Sequence, residues 1–182
     1  MIDRLFTWLE RYRDPFPPEE PVQPPSAFWP FVYHYTRPFR GMIIASASLA
    51  ALIALLEVSL FAFMGRLVDW LAAADRATFW EQHGTFLLVM AALVILVLPA
   101  LKFIYEAVVH QGIMGNFAMR ARWLAHRYVL RQSMSFFQND FAGRISQKVM
   151  QTSLSLREVV MKITEVMVYV SVYFTEIGRA HV

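Results

Sequence analysis

The sequence predicts an all-α membrane protein whose long transmembrane helices extend into the cytoplasm. Of its 182 residues, 57% are hydrophobic and only 17% are charged, whereas soluble domains have about 45–50% and about 25%. The apolar residues are concentrated in long uncharged blocks, which excludes an ordinary soluble enzyme. The chain contains no cysteine, which excludes disulfide frameworks, and its five histidines lack ligand spacing, so no metal site is predicted.

Residues 1–27 are predicted to form a short amphipathic helix followed by a proline-rich linker. Apolar residues recur at helical spacing, with charged residues between them, at Ile2, Leu5, Phe6, Leu9 and Tyr12. This segment lacks the uninterrupted apolar core and the cleavage site of a signal peptide. Seven prolines between Pro15 and Pro30 make the following residues stiff and extended.

Residues 28–40 are predicted to form an interfacial elbow helix that leads into the first span. Trp29, Tyr33 and Tyr35 lie close to basic residues in this segment. Aromatic rings beside positive charges are typical of the lipid headgroup region.

Three apolar blocks follow. The first span covers residues 41–64 and contains one charge, Glu57. At about 1.5 Å per residue, a helix of this length crosses a hydrocarbon core of about 30 Å. The second span covers residues 84–109 and is expected to kink at Pro99. The third, at 159–175, carries two charges before an uncharged run that is too short to span the bilayer alone.

The distribution of lysine and arginine predicts the orientation. Residues 1–40 contain five, residues 65–83 contain two, and residues 110–157 contain seven with a single acid. By the positive-inside rule, the N-terminus and residues 110–157 are cytoplasmic and the loop at residues 65–83 lies outside. We expect a multi-pass protein of a bacterial-type inner (plasma) membrane. Contact with lipid headgroups explains the basic residues better than nucleic-acid binding, so we predict the lipid bilayer as a partner and no nucleic acid. The cluster consists of Arg120, Arg122, Arg127 and Arg131.

A long cytoplasmic excursion follows the second span. The helix is predicted to continue to about residue 135, with a packed face formed by Phe117, Ala121, Leu124 and Tyr128. A second amphipathic run begins at residue 145 and returns to the third span. The two runs form an antiparallel hairpin, which either contacts another protein or packs only on itself.

The hairpin is predicted to turn in a coupling region at residues 136–144. Asn139 or Asp140 can cap a short helix, and Gly143 permits the following turn.

The order of these segments resembles the N-terminal half of an ABC exporter transmembrane domain over residues 28–175. Two segments carry the likeness, GRLVDWL (65–71) and SFFQNDFAGRISQKVMQT (135–152). The resemblance implies a six-helix domain of which this chain contains the first part. One departure is Thr152, at a position where members of the family often have an acid.

The resemblance also implies that the first intracellular loop docks on a nucleotide-binding domain through a short coupling helix. Phe136 and Phe137 then end the descending helix, residues 139–142 form the coupling helix, and Gly143 with Arg144 begins the ascending one. The implied coupling-helix region comprises Phe136, Phe137, Asn139, Asp140, Phe141, Gly143 and Arg144.

The chain itself contains no GxxxxGKS/T phosphate-binding loop. No cofactor or catalytic residue is therefore assigned to it, and the ATP and Mg²⁺ expected from the resemblance belong to a nucleotide-binding domain of the parent protein. That parent is expected to be an ATP-hydrolysing translocase, working as a homodimer or heterodimer.

The chain is therefore expected to be a fragment. Residues 176–182 place polar groups where an apolar span should continue, so they are interpreted as a non-native tail, with a genuine polar terminus as the alternative.

Ionisable residues within the spans are candidates for function. Glu57, placed in the outer half of the first span, either lines a translocation path for a polar or cationic solute or pairs with a donor on another helix. Lys102 and Glu106, one turn apart near the inner end of the second span, are interpreted as an intrahelical pair.

Two functions remain open. In the first, the chain forms part of the translocation pathway of an ATP-driven exporter. In the second, it is a small integral membrane anchor or assembly protein that recruits a soluble partner through the hairpin.

Overall fold

The computed structural model describes residues 2–73, 78–139 and 142–180, most of which are helical. In chain order the helices are α1 (Ile2–Arg11), α2 (Phe28–Thr36), α3 (Arg40–Ala73), α4 (Phe79–Ala92), α5 (Leu98–Ala107), α6 (Gly115–Val129), α7 (Met134–Asn139) and α8 (Ala142–Ala180). A 3-10 turn, Arg37–Phe39, joins α2 to α3, and π-helical turns, Leu93–Val97 and Val108–Met114, flank α5.

The chain divides into two compact units. The first comprises Met1–Ser46 and Ala107–Glu165, and the second comprises Ala47–Glu106 and Val166–Val182. The predicted elbow helix corresponds to α2 and the 3-10 turn in the first unit.

Within the described part of the chain, two helices are long and apolar enough to cross a membrane. They run continuously over Phe28–Ala72 and Phe79–Val129, with 45 and 51 residues. These lengths correspond to about 68 and about 77 Å, against a hydrocarbon core of about 30 Å. The helical content and these two helices are consistent with the predicted all-α membrane class.

The second of these helices accommodates Pro99 through a local change of helix type. Pro99 lies in the first turn of α5, directly after the π-helical turn Leu93–Val97. Proline lacks an N–H, and its ring clashes with the carbonyl four residues earlier in a regular α-helix. A wider π turn relieves this clash while the helix continues.

The helix α6 ends at Val129, earlier than the predicted end near residue 135. The last turn tightens because the Arg131 N–H donates to Tyr128 O at 3.2 Å and the Gln132 N–H to Val129 O at 3.0 Å. The Gln132 side chain also donates to Tyr128 O, at 3.1 Å. A side-chain amide thus takes the acceptor that a continuing helix would use, which ends α6.

The core of the first unit brings together residues that are far apart in the sequence. Its buried members are Leu9, Val32, Phe39, Met42, Ala107, Ile113, Phe117, Ala121, Leu156 and Val160. Phe39 and Phe117 are 0% and 1% exposed, and their ring centroids are 5.4 Å apart at an interplanar angle of 70°. A Cβ on Gly112 would lie 3.1 Å from Met42 Sδ, so glycine allows this close approach.

The second unit joins α3 to α4 through aromatic rings. Trp70 stacks on His83 with centroids 4.2 Å apart, and its ring meets Phe86 edge-on at 5.3 Å. Phe63 lies on the other side of Phe86 at 5.6 Å. These contacts fix how the last part of α3 pairs with the beginning of α4.

Replacing Phe117 by alanine is expected to lower the free energy of unfolding by about 3–5 kcal/mol, because it leaves a cavity beside Phe39. Urea unfolding of the chain in detergent micelles, followed by circular dichroism, measures the change. Met119→Ala is the matched control, since Met119 is exposed on the same helix and its loss should cost less than about 0.5 kcal/mol. Equal losses in the two variants would show that Phe117 is not a core residue.

Candidate functional site

The N-terminal linker, residues 12–27, lies along one face of α6 in the first unit. Three α6 side chains donate to backbone carbonyls in or next to it: Asn116 Nδ2 to Glu10 O at 2.6 Å, Arg120 Nη1 to Asp14 O at 2.8 Å, and Trp123 Nε1 to Pro17 O at 3.2 Å. The donors recur at helical spacing and therefore stand on one face. Because prolines lack an N–H but keep a carbonyl, the linker offers acceptors that no regular secondary structure uses.

Arg127 makes the densest contact with the linker. Its Nη1 lies 3.2, 3.1 and 2.9 Å from the carbonyl oxygens of Pro17, Pro18 and Glu19. The guanidinium carbon also lies 5.8 Å from the centre of the Trp123 ring. A charged donor that reaches three carbonyls holds an extended segment without requiring a helix or sheet.

Three of the four arginines for which lipid contact is expected also bond within the protein. Arg120, Arg127 and Arg131 all bond to the linker or to its carboxylates. The spacing of these arginines on one helical face, together with a proline-rich segment elsewhere, was the available sequence signal. Nothing in the sequence specified that the two segments meet.

Glu20 and Arg131 end this row of contacts with an exposed ion pair. Arg131 Nη2 lies 2.9 Å from Glu20 Oε1. The hydrogen bond from Arg131, and then its positive charge, lowers the pKa of the Glu20 carboxyl. Both side chains are in contact with solvent, so salt screens the attraction.

The hairpin tip, residues 134–144, contains the helix α7. Phe136 and Phe137 lie on α7, with centroids 5.4 Å apart and rings at 87°, and not at the end of the descending helix, which stops at Val129. Met134 and Phe136 are exposed. The tip therefore presents apolar side chains to its surroundings.

Part of the predicted coupling region can be placed. Asp140 and Phe141 lie outside the described residues, and only the backbone of Asn139 is described, as the last residue of α7. Gly143 and Arg144 lie in the first turn of α8. Gly143 has no positive φ, so the expectation that glycine's conformational freedom makes the turn is wrong.

An apolar groove of about 370 Å³ lies beside the tip in the first unit. Phe137, Ile145 and Val149 line it together with Phe16 and Trp123. Phe16 packs edge-on against Trp123 at 5.3 Å. The linker and the hairpin therefore share one apolar surface. Phe137 lines this groove, whereas Phe136 is exposed.

A polar cluster in the second unit joins α3, α5 and α8. Lys102 Nζ lies 2.8 Å from Glu57 Oε1, and the Tyr173 hydroxyl donates to Glu57 Oε2 at 3.3 Å. The side chain of Glu57 is 24% exposed and that of Lys102 is 56% exposed. Each charge offsets the cost of placing the other in apolar surroundings. The donor that Glu57 needs is thus on another helix, and the sequence reasoning missed Tyr173.

The ion pair also shows that Glu57 and Lys102 do not lie at the different levels along their helices that the sequence predicts. The sequence reasoning put Glu57 in the outer half of the first span and Lys102 near the inner end of the second. A separation of 2.8 Å requires both residues to lie at the same level of neighbouring helices. The reason is that α3 continues past residue 64 to Ala73, which leaves Glu57 near the middle of the helix.

Comparison with known proteins gives one informative relative. A curated protein of Haemophilus influenzae, named an uncharacterized ABC transporter ATP-binding protein, is 39% identical to this chain over 178 residues. The match covers 98% of this chain but 29% of the relative, so the chain spans less than a third of that protein's length. No family model and no solved structure matches. The match supports a relation between this chain and ABC transporters.

Removing one partner of the Glu57–Lys102 pair is expected to destabilise the chain more than removing both. Glu57→Gln or Lys102→Met leaves a charge without its partner, whereas the double variant leaves none. Unfolding in mixed micelles, analysed as a double-mutant cycle, should give a coupling energy of about 1 kcal/mol. Ser59→Ala, on the same helix, is the control, and additive single effects would contradict the pairing.

Acidification is expected to release the linker near Glu20. The pKa of the Glu20 carboxyl is lower in the folded chain, so the ion pair contributes its full stabilisation above the ordinary carboxyl pKa, about 4.3. That stabilisation is lost as the pH falls through the lowered pKa. A nitroxide on Val22→Cys, in a chain without other cysteines, should become more mobile over that range in electron paramagnetic resonance spectra. Glu20→Gln should make the label mobile at neutral pH, and Glu10→Gln should not. A label equally mobile at all pH values would contradict the contact.

Proposed function

We propose that this chain forms part of the translocation pathway and the first intracellular coupling loop of an ATP-driven ABC exporter. The observation that carries the proposal is the continuous 51-residue helix Phe79–Val129. A membrane span uses about 20 residues, so about 30 residues, or about 45 Å, project beyond the bilayer. A loop that merely connects two spans needs no such projection.

The similarity to the Haemophilus influenzae protein supports the same proposal. That relative is named an ATP-binding protein, whereas the present sequence contains no phosphate-binding loop. ATP and Mg²⁺ are then bound by a nucleotide-binding domain that lies outside the matched part. The parent protein works as a homodimer or heterodimer in a bacterial inner membrane and couples ATP hydrolysis to transport.

The hairpin tip is the surface that meets the nucleotide-binding domain in this proposal. Exposed Met134 and Phe136 supply apolar anchors, and α7 supplies a short rigid segment. Asn139, Asp140 and Phe141 complete the coupling region, and Gly143 with Arg144 starts the returning helix. Closure of the ATP-binding domains then moves α6 and α8 as a lever.

Glu57 belongs to the translocation pathway in this proposal. Its carboxylate is held by Lys102 and Tyr173, so a cationic group of a solute would exchange with the lysine. A conformational change that separates α3 from α5 would expose the carboxylate to the pathway.

Single cysteines test the membrane orientation, since the chain has none of its own. In right-side-out membrane vesicles, Gln82→Cys should react with a membrane-impermeant maleimide. Ser135→Cys, at the tip, should react only after the membrane is permeabilised. The unsubstituted chain is the control for background labelling. Labelling of Ser135→Cys in sealed vesicles would place the tip outside, away from ATP, and would overturn the proposal.

A further inference from the structure

A cavity of about 830 Å³ lies in the first unit, beside the elbow helix α2. Its walls come from α2, the 3-10 turn before α3, the N-terminal linker, α6 and the beginning of α8. The functions considered above assign nothing to this space. Its position at the start of the first membrane-length helix places it where a bilayer surface is expected.

The charged residues that line the cavity are predominantly basic. Five cationic side chains face two carboxylates: Arg13, Arg37, Arg40, Arg120 and Lys148 against Glu19 and Glu20. Glu20 is engaged by Arg131, which is not part of the lining, at 2.9 Å. Glu19 lies at the longer distance of 3.7 Å from Arg120. The cavity therefore retains an excess of positive charge.

Arg120 lines this cavity, and its charge is only partly compensated. Its side chain is only 14% exposed. Nη1 donates to the neutral carbonyl Asp14 O at 2.8 Å, and Nη2 has a carboxylate, Glu19 Oε2, only at 3.7 Å. A buried guanidinium is costly unless its donors are used and its charge is compensated.

The remaining lining suits an amphiphile. Tyr33, Tyr35 and Tyr128 bring hydroxyl groups, while Phe31 and Leu124 bring apolar surface. Arginine guanidinium groups and tyrosine hydroxyls both donate hydrogen bonds that phosphate oxygens can accept.

We propose that this cavity binds a phosphate group, with the headgroup of an anionic phospholipid as its source and soluble phosphate as the alternative source. Basic pockets at the cytoplasmic ends of membrane helices recognise such headgroups through charge and hydrogen bonds. The inference uses the proposed function only to place α3 in a membrane, and it is independent of export.

Thermal unfolding of the full chain in neutral detergent micelles, followed by circular dichroism, tests the proposal. Phosphatidylglycerol should raise Tm in a saturable manner, and phosphatidylcholine should not. Replacing a lining cation that is exposed, by Arg37→Gln or Lys148→Gln, should weaken the apparent affinity by about five-fold for each. Arg37→Lys with Lys148→Arg keeps the charges and should restore binding.

The control is Arg4→Gln, which removes an exposed charge of the same unit that does not line the cavity. An equal loss of affinity in Arg4→Gln, or equal stabilisation by both lipids, would show unspecific attraction and overturn the proposal. Saturable stabilisation by inorganic phosphate that is lost in Arg37→Gln would identify the soluble source. The maleimide experiment reports on the orientation separately, so the failure of one proposal is distinguishable from the failure of the other.

Discussion

The packing of Phe39 against Phe117 is the contact on which the first unit depends. It ties the 3-10 turn before α3 to α6, the last part of the second membrane-length helix. Residues far apart in the chain become neighbours there, and Leu9 of α1 enters the same core. Gly112 allows the π-helical turn to approach Met42 closely enough for that core to close. The linker contacts and the basic cavity both belong to the unit that this core holds together.

The charged side chains of the two units find different kinds of partner. In the second unit, Glu57 and Lys102 neutralise one another, because an isolated charge among apolar helices is costly. In the first unit, Arg127 uses neutral carbonyls, which leave its positive charge uncancelled. The excess of basic charge that predicts a cytoplasmic N-terminus is therefore compatible with arginines that bond inside the protein.

Local sequence signals succeeded where one segment decides the outcome. The helical spacing around Leu9 and the proline-rich composition of the linker both correspond to what the structure has. They were less successful at helix ends and turns. α6 stops at Val129 because Gln132 competes for a backbone acceptor, and Gly143 is helical. The relation to ABC transporters, inferred from the order of motifs, is supported by the Haemophilus influenzae relative.

By itself the sequence determined the all-helical class, the two apolar stretches long enough to span a bilayer, and the lack of a phosphate-binding loop. These properties follow from composition and periodicity, which every local segment carries with it. Only the tertiary structure decided that Lys102 pairs with Glu57 and that the linker covers α6. Such pairings depend on which helix faces meet, and that is set by the burial of the whole core and not by the spacing of residues along one helix.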